Sequence, residues 1–199
     1  MNRYENIVFD VGGVLLSYRW FDAITEAGCT PEEARELGPK LFEDPCWREL
    51  DLGIRPYFEV VNEFAAKYPE YTSVITEFLT EVKRMPIGRP AVWEEVHRLK
   101  EKGYKLYILS NYSEYMIKNH TENLPFVQDM DGGIVSYMVH VNKPDKGIYE
   151  ALFKKYDLDP SECLFFDDRD ENIEGAKKCG MDGIVVTSEE FLVEELKKL

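Results

Sequence analysis

Three carboxylates stand where short apolar runs end, and together they could hold a divalent cation against a phosphate. Asp10 follows Ile-Val-Phe and precedes two glycines, while Asp167 and Asp168 follow Cys-Leu-Phe-Phe. Such runs are typical of buried parallel strands, and ligands gather at the carboxyl edge of a parallel sheet. Carboxylates that meet there repel one another unless a cation joins them, and Mg²⁺ suits such an oxygen-rich set. Asp10 taken alone could equally cap a turn.

Ser110, Asn111 and Lys143 could bind the phosphate itself. Ser110 and Asn111 end the strand-like run Lys-Leu-Tyr-Ile-Leu, and Lys143 precedes a proline at a helix start. A hydroxyl and an ammonium group supply the donors and the positive charge that a phosphoryl group needs. Taken singly, these residues are ordinary turn formers and a solvated lysine. Their position between Asp10 and Asp167 in the chain favours a shared site.

Alternating strands and helices must position these residues. After residue 90, helical patterns cover about 90–102, 114–119, 144–156, 172–180 and 189–199, and strand patterns cover 105–109, 133–136, 163–166 and 183–186. Such alternation predicts an α/β fold with parallel strands, right-handed crossovers and helices on both faces. Residues 18–85 are instead helical in period and poor in strands. We therefore expect a core from 1–17 and 86–199 with a small helical insertion at 18–85.

Composition narrows the partners. The chain has 199 residues, and 24 Lys and Arg against 38 Asp and Glu give a formal net charge of −14. This balance argues against nucleic acid or an anionic membrane surface as a partner. The four cysteines have no paired spacing, and neither a membrane span nor a secretion signal is recognisable, so we expect a cytoplasmic protein. The sequence does not distinguish a monomer from a homodimer.

Four motifs in this order resemble those of the haloacid dehalogenase-like (HAD) hydrolase superfamily. They are Phe-Asp-Val-Gly-Gly-Val at 9–14, Leu-Ser-Asn at 109–111, Lys-Pro-Asp at 143–145, and Phe-Asp-Asp-Arg-Asp-Glu-Asn-Ile-Glu-Gly-Ala at 166–176. The resemblance covers nearly the whole chain, and it implies a Rossmann-like three-layer core with residues 18–85 as a helical cap. In its motifs the chain is most similar to α-D-glucose-1-phosphate phosphatase-like members. The implied substrate is a small phosphorylated metabolite.

The resemblance also implies a role for each motif residue. Asp10 would be the nucleophile that forms an aspartyl-phosphate, with Lys143 offsetting charge beside it. The implied Mg²⁺ ligands are Asp10, the backbone carbonyl of Gly12, Asp167 and, directly or through water, Asp168. The implied phosphate-binding residues are Ser110, Asn111 through its backbone, and Lys143. Asn172 would act behind the ligands by positioning their loop.

Gly12 departs from the pattern of HAD phosphatases, which usually carry there an aspartate that protonates the leaving group and then activates water. Glycine cannot transfer a proton, and loss of a general acid or base typically costs about 10²–10⁴-fold in rate. Three interpretations stay open. The chain is a phosphatase whose leaving group needs little protonation, such as an anomeric sugar oxygen, or it is a catalytically weak protein that binds a phosphorylated ligand or a protein partner. The third interpretation is a haloacid dehalogenase. The acidic pair Asp167-Asp168 disfavours the last, because dehalogenases of this type work without metal.

The helical insertion offers weaker candidates for substrate contact. They are Tyr18, Arg19, Trp20, Trp47 and Arg48. Aromatic rings beside arginines suit a sugar phosphate, but rings at such positions more often pack between helices. The following loop, Asp-Leu-Gly-Ile-Arg at 51–55, resembles the cap segment that faces the active site in this family. His140, in the loop before Lys143, is a further weak candidate.

Overall fold

The computed structural model describes residues 3–199 of the chain. In that range the strands are β1 (Asn6–Phe9), β2 (Leu16–Tyr18), β3 (Pro86–Gly88), β4 (Lys105–Ser110), β5 (Gly132–Val135), β6 (Cys163–Asp167) and β7 (Asp182–Val185). The helices are α1 (Trp20–Glu26), α2 (Pro31–Phe42), α3 (Pro45–Leu52), α4 (Tyr57–Lys67), α5 (Thr72–Thr80), α6 (Pro90–Glu101), α7 (Glu114–Thr121), α8 (Pro125–Asp129), α9 (Ser136–Val139), α10 (Lys146–Tyr156), α11 (Asp170–Lys178) and α12 (Glu189–Lys197). None of these helices is long and apolar enough to cross a bilayer.

Five strands form a parallel sheet in the order β5-β4-β1-β6-β7. The central strand is β1, and Phe9 at its end pairs with Ile108 of β4 and Phe166 of β6. The residue after β1 and the last residues of β4 and β6 therefore emerge side by side at one edge. The predicted α/β fold with a parallel sheet is confirmed.

The side chains of β1 alternate between two apolar layers because successive residues of a strand point to opposite faces. Ile7 and Phe9 belong to the layer that contains the buried residues of α6 and α12. Val8 belongs to the other layer, with the buried residues of α10 and α11. All three side chains are fully buried, so β1 is fixed from both sides and the position that follows it is well defined.

Along the chain, helices α1 to α5 come between the two stretches that form the core. Strands β2 and β3 pair antiparallel, with Leu16 opposite Gly88 and Tyr18 opposite Pro86, so the chain leaves and re-enters the core at one place. Helix α2 begins at a capping box, in which the Glu33 amide donates to the Thr30 hydroxyl and the Thr30 amide to the Glu33 carboxylate. Residues 18–85 are called the helical segment below.

Four short elements were not predicted from the sequence. Strands β2 and β3 have three residues each, α8 has five and α9 has four. Elements of that length do not contain enough residues to show a helical or strand period. They matter to the site nevertheless, because β2 and β3 join the helical segment to the core and α9 contacts α3 of that segment.

Candidate active site

The three predicted carboxylates meet at the carboxyl edge of the sheet. Each of Asp10, Asp167 and Asp168 has a carboxylate oxygen within 4.8 Å of those of the other two. Asp10 and Asp167 are buried, whereas Asp168 is exposed. Gly13 makes room for them, because it has a φ of +69° and a Cβ there would lie 2.5 Å from Asp168 Oδ2. Glycine at position 13 is thus required both by its φ and by the close approach of Asp168.

Lys143 bridges two of these carboxylates, those of Asp10 and Asp167. Its Nζ lies 3.0 Å from Asp10 Oδ1 and 2.6 Å from Asp167 Oδ2, and it donates to the Leu109 carbonyl at 2.8 Å. Burial disfavours its charged form, but the two carboxylates outweigh burial and raise the pKa of Lys143. The ammonium group is therefore charged at neutral pH and fixed between the two acids.

Lys143 alone does not compensate the negative charge at Asp10. Burial raises the pKa of Asp10 to about 6, and Asp167 and Asp168 add to the rise, while Lys143 and a hydrogen bond from Ser110 oppose it. The backbone amide of Val11 donates to Asp10 Oδ1 at 2.7 Å and fixes its orientation. Three carboxylates facing one ammonium group form a donor set that fits a hard divalent cation such as Mg²⁺.

Two asparagines hold the loops that carry this cluster. Asn111 donates from Nδ2 to the Lys143 carbonyl at 3.0 Å and accepts from the Lys143 amide at 2.7 Å. Asn172 donates from Nδ2 to both oxygens of Asp167, at 3.0 and 3.1 Å, in the supporting position expected of it. The side-chain clamp of Asn111 on Lys143 was not predicted, because the sequence suggested only a backbone contact to phosphate. Ser110 is buried beside Asp10.

Tyr18 occupies the space next to Gly12. A Cβ built on Gly12 would lie 3.0 Å from Tyr18 Cε2 and 3.2 Å from its hydroxyl oxygen. That hydroxyl is hydrogen-bonded to the hydroxyl of Tyr112, which in turn lies 2.6 Å from Nδ1 of His120. The family's aspartate would have to share this space with the tyrosine ring. Neither Tyr112 nor His120 was predicted near the site, and no spacing pattern in the sequence links them to Tyr18.

The other candidates from the helical segment make their contacts within that segment. Arg19 pairs with acidic residues of α1. Trp20 and Trp47 both stack edge-on against Phe42, with ring centroids 5.4 and 4.7 Å apart, which is the packing role considered as the alternative for them. Arg48 is exposed. Contact of these four residues with substrate stays a prediction, as does the metal-binding role of the Gly12 carbonyl.

The fold and this site together define an α/β enzyme with an acidic centre at the sheet edge. Residues 4–180 match the sequence model of the haloacid dehalogenase-like hydrolases. The chain therefore belongs to that family, and the resemblance inferred from its motifs is confirmed.

Several characterised relatives are named as phosphatases. A phosphatase of Mycobacterium tuberculosis is 28% identical over 203 residues, which cover 90% of this chain and 86% of the relative. D-ribitol-5-phosphate phosphatase of Bacteroides thetaiotaomicron is 30% identical over 194 residues, and 89% of each chain is covered. A sesquiterpene phosphatase of Aspergillus oryzae is 25% identical over 201 residues, which cover 98% of this chain and 96% of the relative.

Solved structures share the same fold. A HAD family enzyme of Bacteroides thetaiotaomicron, solved with magnesium and inorganic phosphate, superposes with a TM-score of 0.74 at 21% identity, covering 92% of this chain and 93% of that one. A HAD-like family hydrolase of Porphyromonas gingivalis superposes with a TM-score of 0.77 at 21% identity, covering 99% and 98%. At this identity the likeness concerns the fold.

Proposed function

We propose that this chain is a Mg²⁺-dependent phosphatase that hydrolyses a small phosphorylated metabolite through an aspartyl-phosphate on Asp10. The observation that carries the proposal is the buried bridge of Lys143 between Asp10 and Asp167, with Asp168 in reach of the same point. The phosphatases among the relatives, and the family member solved with magnesium and phosphate, support it.

Each residue at the sheet edge has a task in this proposal. Asp10 attacks phosphorus and forms the covalent intermediate, and water then hydrolyses it. The Ser110 hydroxyl and the backbone N–H of Asn111 hold the phosphoryl oxygens, while Lys143 offsets negative charge. When bound, Mg²⁺ would supply positive charge between the nucleophile and the phosphoryl group. Its ligands would be Asp10, the Gly12 carbonyl, Asp167 and Asp168.

A cavity of about 520 Å³ lies between the helical segment and the core, and its lining includes Ser113 near the proposed phosphate-binding loop but none of the three clustered carboxylates. Arg55 and Tyr57 line it from the helical segment, and Ser113, Lys118 and Tyr137 line it from the core. The volume is within the range of small-molecule sites, and the mixture of rings and cations suits a polar metabolite. We propose that residues 18–85 act as a cap that closes over this cavity and excludes bulk water.

The test is hydrolysis of p-nitrophenyl phosphate and of a panel of sugar 1-phosphates and polyol phosphates, with Mg²⁺ and with chelator. We expect Mg²⁺-dependent release of phosphate that falls to background in Asp10→Asn. Asp170→Asn, which removes an exposed acid from the start of α11, is the matched control and should keep the wild-type rate.

A wild-type rate no higher than that of Asp10→Asn on every compound would refute the phosphatase proposal. If the protein then still bound inorganic phosphate with Mg²⁺, the binding-protein interpretation of Gly12 would replace it. Chelator-insensitive release of halide from 2-chloropropionate would instead favour a dehalogenase.

A further inference from the structure

The proposed reaction needs a proton donor that the loop after Asp10 does not contain. An alkoxide leaving group is a poor one until it is protonated, and Gly12 has no side chain to do this. The space beside Gly12 is taken by the ring of Tyr18. A proton donor, where one exists, must therefore approach the phosphoryl group from another element.

A hydrogen-bonded connection brings the end of α3 to the phosphate-binding loop. The Ser136 hydroxyl donates to the backbone carbonyl of Asp51 at 2.5 Å. The same hydroxyl oxygen accepts from the backbone amide of Tyr112 at 2.9 Å. Since Tyr112 directly follows Ser110 and Asn111, one buried serine ties Asp51 to the loop that is proposed to hold the phosphoryl group.

Two further contacts hold this end of α3 in place. His140 donates from Nδ1 to the Leu52 carbonyl at 2.8 Å. Gly53 lies so close to α9 that a Cβ there would be 2.8 Å from the Cβ of Tyr137, and its φ of +60° also favours glycine. The position of Asp51 relative to the core is thus fixed on both sides along the chain.

The carboxyl group of Asp51 is close enough to Asp10 and Lys143 to interact with their charges. Burial and, to a smaller extent, the charge of Asp10 raise the pKa of Asp51 to about 7 against the opposing effect of Lys143. Burial raises the pKa values of Tyr18 and Tyr112, and the charge of Asp51 adds a smaller contribution to both. Among residues 3–199, no hydrogen bond or ion pair involves its carboxyl oxygens. An unpaired and only partly exposed carboxyl beside a nucleophile is a candidate acid.

We propose that Asp51 is the general acid and base of this enzyme, in place of the aspartate that Gly12 lacks. As Asp10 forms its bond to phosphorus, the ester P–O bond breaks and the leaving oxygen takes a proton from the Asp51 carboxyl. The Asp51 carboxylate then takes a proton from water as the water oxygen attacks phosphorus and the bond to Asp10 breaks. This inference rests on the proposed phosphatase function.

Other proton carriers near Gly12 fit this role less well. The Tyr18 hydroxyl is hydrogen-bonded to Tyr112, and burial raises its pKa, which makes it a weaker acid. Burial lowers the pKa of His120 to about 4, so this ring is neutral at pH 7, and it lies behind Tyr112. Asp51 is the group whose carboxyl is both unpaired and anchored beside the phosphate-binding loop.

The test compares two leaving groups in Asp51→Asn. Nitrophenolate leaves without a proton, whereas an alkoxide needs one, so the ratio of kcat/KM for an alkyl phosphate to kcat/KM for p-nitrophenyl phosphate reports the acid. We expect the alkyl value to fall by about 10²–10⁴-fold and the nitrophenyl value by less than about tenfold. Glu49→Gln removes another carboxylate from α3, one paired with Arg55 at 2.8 Å, and should leave the ratio unchanged.

Asp51→Glu separates chemistry from packing. A longer carboxylic acid can still transfer a proton, so we expect it to keep much of the alkyl phosphate activity that Asp51→Asn loses. Equal losses on both substrates, or Glu failing as badly as Asn, would show a structural role and overturn the inference.

Three further outcomes count against the inference. A wild-type enzyme that cleaves p-nitrophenyl phosphate but no alkyl phosphate lacks an effective acid. If Tyr18→Phe, but not Asp51→Asn, lost activity on the alkyl phosphate selectively, the role would belong to the tyrosine. In both cases the phosphatase proposal survives. A wild-type protein inactive on every phosphate refutes the function itself.

Discussion

Replacing Lys143 by methionine should reveal how strongly the acidic centre depends on a cation. The ammonium group is fully enclosed and contacts Asp10 Oδ1 at 3.0 Å and Asp167 Oδ2 at 2.6 Å. Methionine has a similar length but no charge. The substitution therefore leaves two buried carboxylates facing each other without a counter-charge.

The expected loss of stability follows from that arrangement. Removing one partner of a buried ion pair typically costs about 3–5 kcal/mol, because the remaining charge stays buried and uncompensated. For a domain of this size each kcal/mol lowers Tm by about 2–4 °C, so we expect Tm to fall by about 6–20 °C in chelator. Saturating Mg²⁺ should recover part of this loss, since a ligand that binds the folded state stabilises it.

Thermal melts of wild type and Lys143→Met, each with chelator and with Mg²⁺, provide the measurement. Lys146→Met is the matched control, because Lys146 is exposed and pairs only at the surface with Glu150 at 3.3 Å. Its Tm should stay within about 2 °C of wild type. If Lys143→Met melted with the wild type in chelator, or if its loss were the same with and without Mg²⁺, the electrostatic account of the site would be wrong.

Two further predictions concern His120 and Gly12. The pKa of His120 is about 4 in the folded state and about 6.5 in the unfolded chain, so protonation favours the unfolded chain. The free energy of unfolding should therefore decrease as the pH falls from about 6.5 towards 4, by roughly 2 kcal/mol between pH 7 and 5. Urea unfolding should show a pH dependence smaller by that amount in His120→Gln, and equal dependences would contradict it. In Gly12→Asp the new side chain would meet the Tyr18 ring, so we expect the turnover of this variant to be impaired. The double variant, Gly12→Asp with Tyr18→Ala, should instead raise the ratio of alkyl phosphate turnover to nitrophenyl phosphate turnover. An unchanged ratio in the double variant would show that position 12 no longer reaches the leaving group.

The sequence was sufficient to predict which residues meet at the sheet edge. Asp10, Ser110 and Asp167 follow or end apolar runs, and parallel strands bring such residues together whatever their separation in the chain. Lys143 could be added by its order among the motifs. These predictions depend on strand direction alone, which the alternation of strand and helix patterns already indicates.

The surroundings of these residues could not be predicted in the same way. The Tyr18–Tyr112 hydrogen bond joins residues 94 positions apart, and the Ser136–Asp51 bond joins residues 85 apart. Both depend on how the helical segment packs against the core, and no periodic pattern records that angle. Trp20 and Trp47 both pack against Phe42, which is the role that their residue type most often has at such positions.

Arg89 ties the turn after Asp10 to strand β2. Arg89, next to β3, donates from Nη1 to the Gly13 carbonyl at 2.6 Å and from Nε to the Ser17 hydroxyl at 2.8 Å. A change in the angle of β2 and β3 would therefore be felt at the turn that follows Asp10. Ser17 and β3, where the chain passes between the core and the helical segment, are thus linked to the turn that follows Asp10.

Two hydrogen bonds hold the end of α3 that carries Asp51 against the core. Hydrogen bonds from Ser136 to Asp51 and from His140 to Leu52 contribute about 0.5–1.5 kcal/mol each, so together they bias the equilibrium by about 1–3 kcal/mol. In the proposed mechanism the acid is carried by α3, so proton transfer would take place only while the proposed cap covers the site and keeps bulk water out.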